Sequence, residues 1–521
     1  MDLRSSKGSP VSPENTLRWT MRRRVRLFGK ALHGPVAGLA AASIASLLVQ
    51  GYHLGVDDAE IYIPAIKRAA DPRLFPFGSE FFMSHAHLSL FPDLVGDSAR
   101  LTHLPSDLVI FLYHEIGIFL LLMAAWRLAS VCFSNGPARW AGVALLAGAL
   151  SIPVAGTALA IMDPYVTARS LSTPATLMSV ACFASNQRKR ALAWLGFTAL
   201  VHPQMSVYAV VFLGCFALMR RRQRVSQPEP VVAAALPFVW SFQPAQGAAR
   251  EALLSRTYFF LSNWTWYEWF GALAPLALLG WFSTGVFRGT TAVFRVLARS
   301  FVPFGVMFTA AAIGVTYTPS LENYTRLQPM RAFHLIYVIF FVLLGGLAGE
   351  YLLRKSLWRW LALFVPIAVG MWIFQAASYP FSPHLEWPGS VGTSDWTAAF
   401  FWIRGHTPRD AVFALDPNYM AIPEDDQHGF RAVAERSALA DSVKDSGAVA
   451  LFPQLADHWK AQVLAQSGWQ QFELADFERL ARRYPVTWVV ARRPSPAGLV
   501  CPYENRDLAV CRIPEPHEPN R

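Results

Sequence analysis

Apolar runs of a length that crosses a bilayer recur along this chain, and they leave it few folds to adopt. A spanning helix needs about 20 consecutive apolar residues. Residues 107–127, 269–287, 301–317, 333–353 and 358–377 reach or approach that length. Shorter or weaker runs at 32–50, 140–161, 174–185, 191–201, 204–219 and 231–242 raise the expected total to about eleven spans, fewer if 231–242 is re-entrant. Only 16% of the residues are charged and 53% are hydrophobic, whereas a soluble domain carries roughly a quarter charged residues. The expected fold is mainly α: a polytopic membrane helix bundle with a C-terminal α/β domain. Gly345 and Gly349, four apart in the penultimate run, predict a close helix contact.

Charge orients the bundle. The turns 127–139, 186–190, 220–224, 288–299 and 354–359 are basic and contain no Asp or Glu. Counted from an inside N-terminus, all of them fall on the cytoplasmic side, while Asp57, Asp58, Glu60, Asp163, Glu268 and Glu322 fall outside. This predicts a basic cytoplasmic tail (1–31), a multi-span membrane domain (32–379) with a long first outer loop (52–106), and an extracytoplasmic domain (380–521). No cleavable leader is expected, because residues 1–14 are polar and a basic run precedes the first span. Residues 1–379 hold 32 Lys and Arg against 17 Asp and Glu, and residues 380–521 hold 14 against 18. The excess base therefore belongs to the membrane part. It orients the chain in a lipid bilayer and does not point to nucleic acid. The expected location is a bacterial inner membrane.

The first outer loop opens with Gly51-Tyr52-His53-Leu54-Gly55-Val56-Asp57-Asp58-Ala59-Glu60. Carboxylates next to a membrane stay wet, bind a cation or do acid–base work. Asp57 and Asp58 are the catalytic candidates, unless one of them simply caps a helix beginning at Ala59. That helix, 59–70, reads as amphipathic and suited to a membrane surface. His85 and His87 follow in the same loop, and with Asp57 and Asp58 they form a candidate set for a divalent cation such as Mg or Mn. A surface pair is the plainer reading of His-x-His. His114 and Glu115 lie within the second span as polar support or a proton relay. Asp163 and Arg169 face the same outer side. His202-Pro203 breaks a helix near it. Arg326, Gln328 and Arg331 precede a later span. Outer arginines run against the usual charge bias and call for an anionic partner: a phosphate or diphosphate, Glu322, or a lipid headgroup.

Beyond residue 380, a helix at 394–405 capped by Ser394 or Asp395, strands at 411–415 and 486–491, helices at 430–440, 452–465 and 474–484, and a hairpin over 499–513 suggest a small α/β domain. Arg431, Glu435, Arg436, Asp441, Lys444 and Asp445 read as a solvated helix face, or as an edge for an acceptor or partner. A tight turn at Asn505-Arg506-Asp507 sets Cys501 opposite Cys511, which predicts a disulfide in an oxidising compartment. Cys132, Cys182 and Cys215 are packing residues.

One span, a long outer loop opening with Asp57-Asp58, a many-span body and an outer α/β tail together resemble the GT-C superfamily of membrane glycosyltransferases. The phrases Tyr62-Ile63-Pro64-Ala65-Ile66, Asp71-Pro72-Arg73-Leu74-Phe75-Pro76, Leu200-Val201-His202-Pro203 and Leu327-Gln328-Pro329-Met330-Arg331 look like a bacterial branch of that group. The resemblance implies sugar transfer from a polyprenyl-phosphate or -diphosphate donor on the outer face. Asp57 or Asp58 would be base or metal ligand, and Arg169, His202, Arg326, Gln328 and Arg331 would surround the donor phosphate. No Walker-type Gly-rich loop, Gly-x-Ser-x-Gly or Cys-x-x-Cys points elsewhere. A transporter or flippase, and a non-catalytic polysaccharide-assembly protein on the same scaffold, remain the alternatives.

Overall fold

The computed structural model describes residues 35–222, 244–390 and 392–514. The expected basic tail, the first residues of the first span and the run 231–242 lie outside them. The chain leaves α1 (Pro35–Gln50) through Gly51 and builds three loop helices, α2 (Ala59–Ala70), α3 (Glu80–Ala86) and α4 (Phe91–Thr102). The bundle continues through α5 (Ser106–Cys132), α6 (Gly136–Gly148), α7 (Arg169–Ala184), α8 (Arg188–Val201) and α9 (Pro203–Arg222). After α10 (Gly247–Leu254) it resumes with α11 (Trp266–Phe282), α12 (Ala292–Tyr317), α13 (Phe333–Ala348) and α14 (Leu357–Ser378).

Five helices among the described residues are long and apolar enough to cross a membrane: Ser106–Cys132, Pro203–Arg221, Ala292–Tyr317, Pro319–Leu353 and Leu357–Ser378. The other expected spans that fall among the described residues are shorter. Residues 140–161 do not make one helix, because α6 stops at Gly148 and the chain runs on irregularly to α7. Pro153 has no N–H to give and drives Ile152 away from helical geometry. At His202 the chain is extended (φ −151°) and Pro203 starts α9, so the break falls where Pro requires it. Local caps fix other boundaries. Asn135 accepts from the Ala138 N–H, and Thr291 accepts from the Phe294 N–H. Thr265 and Glu268 form a capping box on α11. Gly345 of α13 and Gly349 just after it lie against α6, where a Cβ on Gly349 would stand 2.6 Å from the Pro137 carbonyl oxygen.

The C-terminal domain contains α15 (Asp395–His406), β1 (Val412–Ala414), α16 (Phe430–Ala434), β2 (Ser437–Ala438), α17 (Asp445–Leu451), α18 (Ala456–Ala465), α19 (Leu474–Arg483), β3 (Trp488–Arg492), β4 (Val500–Glu504) and β5 (Leu508–Arg512). The strand order is β2-β1-β3-β5-β4, parallel among the first three and antiparallel thereafter. Alternation along the strands gives the sheet two apolar faces. Phe413, Val490 and Val510 pack with Phe400 of α15 and Phe430 of α16. Val412, Val489 and Ala509 pack with Phe477 and Leu480 of α19. Ser394 caps α15, accepting from the Thr397 N–H. Cys501 and Cys511 are joined by a disulfide across β4 and β5. The expected helix 430–440 is only five residues long. Glu435 turns left-handed (φ 54°) and the chain passes into β2.

The first loop and this domain interlock. Tyr52 bridges to Leu385 and Val56 to His428. The Gly429 N–H donates to the Gly55 carbonyl at 2.8 Å, and the Asp57 N–H to the Gln427 carbonyl at 2.9 Å. Helix α2, expected to suit a membrane surface, instead spends its apolar face on protein: most of it is buried, with α4 on one side and α16 on another. A Cβ on Gly429 would fall 2.6 Å from the Glu60 Cβ. Gly429→Ala should accordingly destabilise the protein by about 1–3 kcal/mol, the usual cost of overpacking. Thermal unfolding of the solubilised protein checks this, and an unchanged midpoint would contradict the docking described.

Candidate functional site

Asp57 and Asp58 sit at the turn into α2, at the end of the bundle covered by the C-terminal domain. Asp57 is left-handed (φ 52°), a conformation L-residues adopt rarely and one that clusters at functional sites. Its Oδ2 accepts from the Tyr165 hydroxyl at 3.1 Å. Its Oδ1 is in close contact with the Lys444 ammonium, which also reaches Asp58 Oδ1 at 3.2 Å. Asp58 commits one oxygen to Lys444, and its second has no hydrogen-bond partner among the described residues. Burial lowers the pKa of Lys444 to about 7, while contact with two carboxylates acts in the opposite sense.

Several residues singled out in the sequence come together beside this pair. Asp58, Arg169 and Arg331 all act electrostatically on Tyr62 and on His85. Arg169, Arg331 and His85 act on His202. His85 bonds the Tyr62 hydroxyl at 3.2 Å. Burial first, and then the Arg331 and Arg169 charges, hold His85 down at about 4 against the pull of Asp58. His202 is buried and depressed well below its ordinary value for the same leading reason. Both rings are therefore neutral at pH 7 and can donate hydrogen bonds without adding charge.

The two arginines differ. Arg169 is buried and spends its charge on Asp163, at 2.5 Å. Arg331 is half-buried, and among the described residues it has no carboxylate partner and its Nε has no acceptor. Gln328, three residues earlier, is left-handed (φ 50°) and buried, and its Oε1 has no hydrogen-bond partner among the described residues. Tyr208 of α9 holds this segment, donating to the Gln328 carbonyl at 3.0 Å. Arg326 stands on the preceding 3-10 turn, half-buried, and the arginine charges felt by Tyr62, His85 and His202 come from Arg331 and Arg169 instead. Glu322 is taken by Arg250, through two bonds of 2.9 and 3.0 Å, and so pairs with neither Arg326 nor Arg331.

Other sequence candidates lie elsewhere. His114 and Glu115, adjacent on α5, diverge: the His114 ring packs on Tyr52, with centroids 5.1 Å apart, and Glu115 accepts from Ser43 at 2.6 Å. They do not form a relay pair. His87 is exposed at the end of α3. Among the described residues, no three His, Cys, Asp or Glu side chains converge as metal ligands. Lys444 already occupies the point where Asp57 and Asp58 meet. The residues present do not fit a resident Mg or Mn ion.

Glu60 is a latch. Its carboxyl accepts from the Arg431 and Ala432 N–H groups at 3.1 and 2.9 Å and lies 3.4 Å from the Arg431 guanidinium. Arg431 in turn pairs with Asp445 at 2.7 Å, and Arg436 donates to the Arg404 and Thr407 carbonyls. The charged run 431–445 is thus largely buried, not a solvated face: its side chains reach inward to the first loop. A second network joins Lys67 to Asp107 (2.8 Å) and Glu435 (2.9 Å), with Arg404 bonded to the same two carboxylates.

The Arg431 cluster makes stability depend on pH. One guanidinium faces Glu60, Asp441 and Asp445, with the Tyr419 hydroxyl and Asp425 nearby. Burial raises Glu60 to about 8, and burial followed by the Asp445 charge raises Asp441. A carboxyl whose pKa is raised by folding stabilises the fold fully below its unfolded value, and that contribution is lost as pH rises through the folded value. The midpoint of thermal unfolding should therefore fall by a few degrees as pH rises from about 5 to 8. Glu60→Gln should flatten that fall, and an equally steep fall in the variant would contradict it.

Sequence reasoning missed Tyr165 and the Lys67 network, and it read Lys444 only as one member of a charged run, not as the partner of Asp57 and Asp58. Asp57 and Lys444 are 387 positions apart, and no local pattern links them. The chain matches no protein-family model and no curated protein.

Proposed function

We propose that this chain is a membrane glycosyltransferase of the GT-C kind, transferring a sugar from a polyprenyl-phosphate or -diphosphate donor to an acceptor hydroxyl on the outer face of a bacterial inner membrane. The observation that carries this reading is Arg331: a half-buried cation without an anionic partner among the described residues, grouped with Asp58 around Tyr62 and His85. A phosphate is the anion that a guanidinium binds best in such a place. Asp58 is the base, because one of its oxygens is uncommitted; both oxygens of Asp57 are engaged by Lys444 and Tyr165.

In the proposed reaction the acceptor oxygen attacks the anomeric carbon as its proton passes to Asp58. The bond from that carbon to the phosphate oxygen breaks, and its electron pair leaves with the polyprenyl phosphate. Arg331 holds the charge that develops there, with neutral His85 and His202 as donors nearby. The basic turns at the far end of the bundle agree with an outward-facing site.

A photoreactive polyprenyl-phosphate analogue tests the placement. Cross-links should map to peptides carrying residues 52–62 and 326–334 and be competed by unlabelled donor. Labelling confined to other helices, or uptake of solute into proteoliposomes with no donor binding, would move the assignment to a transporter.

A further inference from the structure

Asp57 and Asp58 lie where the GT-C resemblance expects a base or metal ligand, yet the cation between them belongs to the protein. Lys444 comes from the C-terminal domain, at the start of α17, and its side chain is only 10% exposed. It touches both carboxylates.

Its position is fixed from several sides. Asp441 Oδ1 accepts the N–H groups of Val443 (2.6 Å) and Lys444, and the Asp441 N–H donates to Asp445 Oδ2 at 2.9 Å. Asp445 is held by Arg431, and Arg256 donates to the Val443 carbonyl and to Ser446. On the facing side, Asp57 is held by the Tyr165 hydroxyl and by its own N–H on the Gln427 carbonyl. Neither partner of the contact is a free-swinging side chain.

Charge balance points the same way. Two carboxylates face the single ammonium of Lys444, while Arg169 and Asp163 neutralise each other. The pair and its lysine together carry one net negative charge. A divalent cation added there would turn that into a net positive charge and stand directly against the fixed ammonium, which is unfavourable.

We propose that Lys444 is the resident counter-cation of the Asp57–Asp58 pair, filling with a protein ammonium the place a divalent metal would take, so that the C-terminal domain completes the site. What this does for transfer rests on the glycosyltransferase reading; the charge arrangement stands without it.

Mn2+ binding to the full chain in nanodiscs, read by electron paramagnetic resonance, tests the proposal without donor or turnover. The wild type should take up no stoichiometric Mn2+ at millimolar concentration. Lys444→Gln should gain about one site per chain, and Lys444→Arg, which keeps the charge, should gain none. A stoichiometric wild-type site that Asp58→Asn abolishes would overturn the proposal, and that arm does not depend on whether the Lys444 variants fold. Absent Mn2+ uptake together with absent donor binding would support the lysine and count against the transferase reading.

Discussion

Asp58→Asn should lower the rate of sugar transfer about 10²–10⁴-fold, the usual contribution of a positioned general base, while leaving donor binding and the amount of folded protein unchanged. Asparagine is close in shape and can still present an oxygen to Lys444, so the contact at 3.2 Å is weakened but not emptied. What it cannot do is accept the acceptor's proton. Asp57→Asn should cost less in the chemical step, because Asp57 is engaged by Tyr165 and Lys444 and acts by holding the turn. Turnover is read as release of labelled polyprenyl phosphate in membranes that contain the native acceptor. Equal turnover by wild type and Asp58→Asn would remove Asp58 from the mechanism.

Lys67→Met should destabilise the protein by about 3–5 kcal/mol, the cost of removing one partner from a buried ion pair. Lys67 is 1% exposed and bonds three acceptors: Asp107 at the start of α5, Glu435 after α16, and the Ala432 carbonyl at 2.8 Å. Without it, Asp107 and Glu435 share Arg404 alone. Those carboxylates sit where the first loop, the bundle and the C-terminal domain meet, so the loss should appear as easier proteolysis between 380 and 394 as well as a lower unfolding midpoint. A methionine variant that unfolds with the wild type would show that the network carries little docking energy.

The positions of these residues explain what the sequence disclosed. Local signals were readable. The Ser394 cap, the His202-Pro203 break, the Gly345/Gly349 contact and the Cys501–Cys511 hairpin are each set within a few residues, and each is found as expected. Span lengths were read less well. An apolar run says nothing of where a Pro such as Pro153 ends the helix inside it, and α6 stops accordingly at Gly148. The charged run 431–445 was misread for a different reason. Burial of a charge is decided by its partner, and the partners Glu60, Asp57, Asp58 and Lys67 lie more than 360 residues away. Arg169 illustrates the same point at short range, since its nearness to Asp163 was visible but its commitment to that one carboxylate was not. Arg331 was singled out for its expected place on the outer side, where it calls for an anionic partner; among the described residues it has no carboxylate partner, and the expected alternative, Glu322, is taken by Arg250.

Asp58 and Arg331 are proposed to serve one centre with separate tasks. Saturable binding of a labelled polyprenyl-phosphate sugar to purified wild type, Arg331→Ala and Asp58→Asn tests it most directly. The expected result is binding by the wild type, unchanged affinity in Asp58→Asn, and a loss of roughly tenfold or more in Arg331→Ala, in keeping with a charge-assisted hydrogen bond worth about 1.5–3 kcal/mol. Equal affinity in all three, or no binding by a folded wild type, would contradict it.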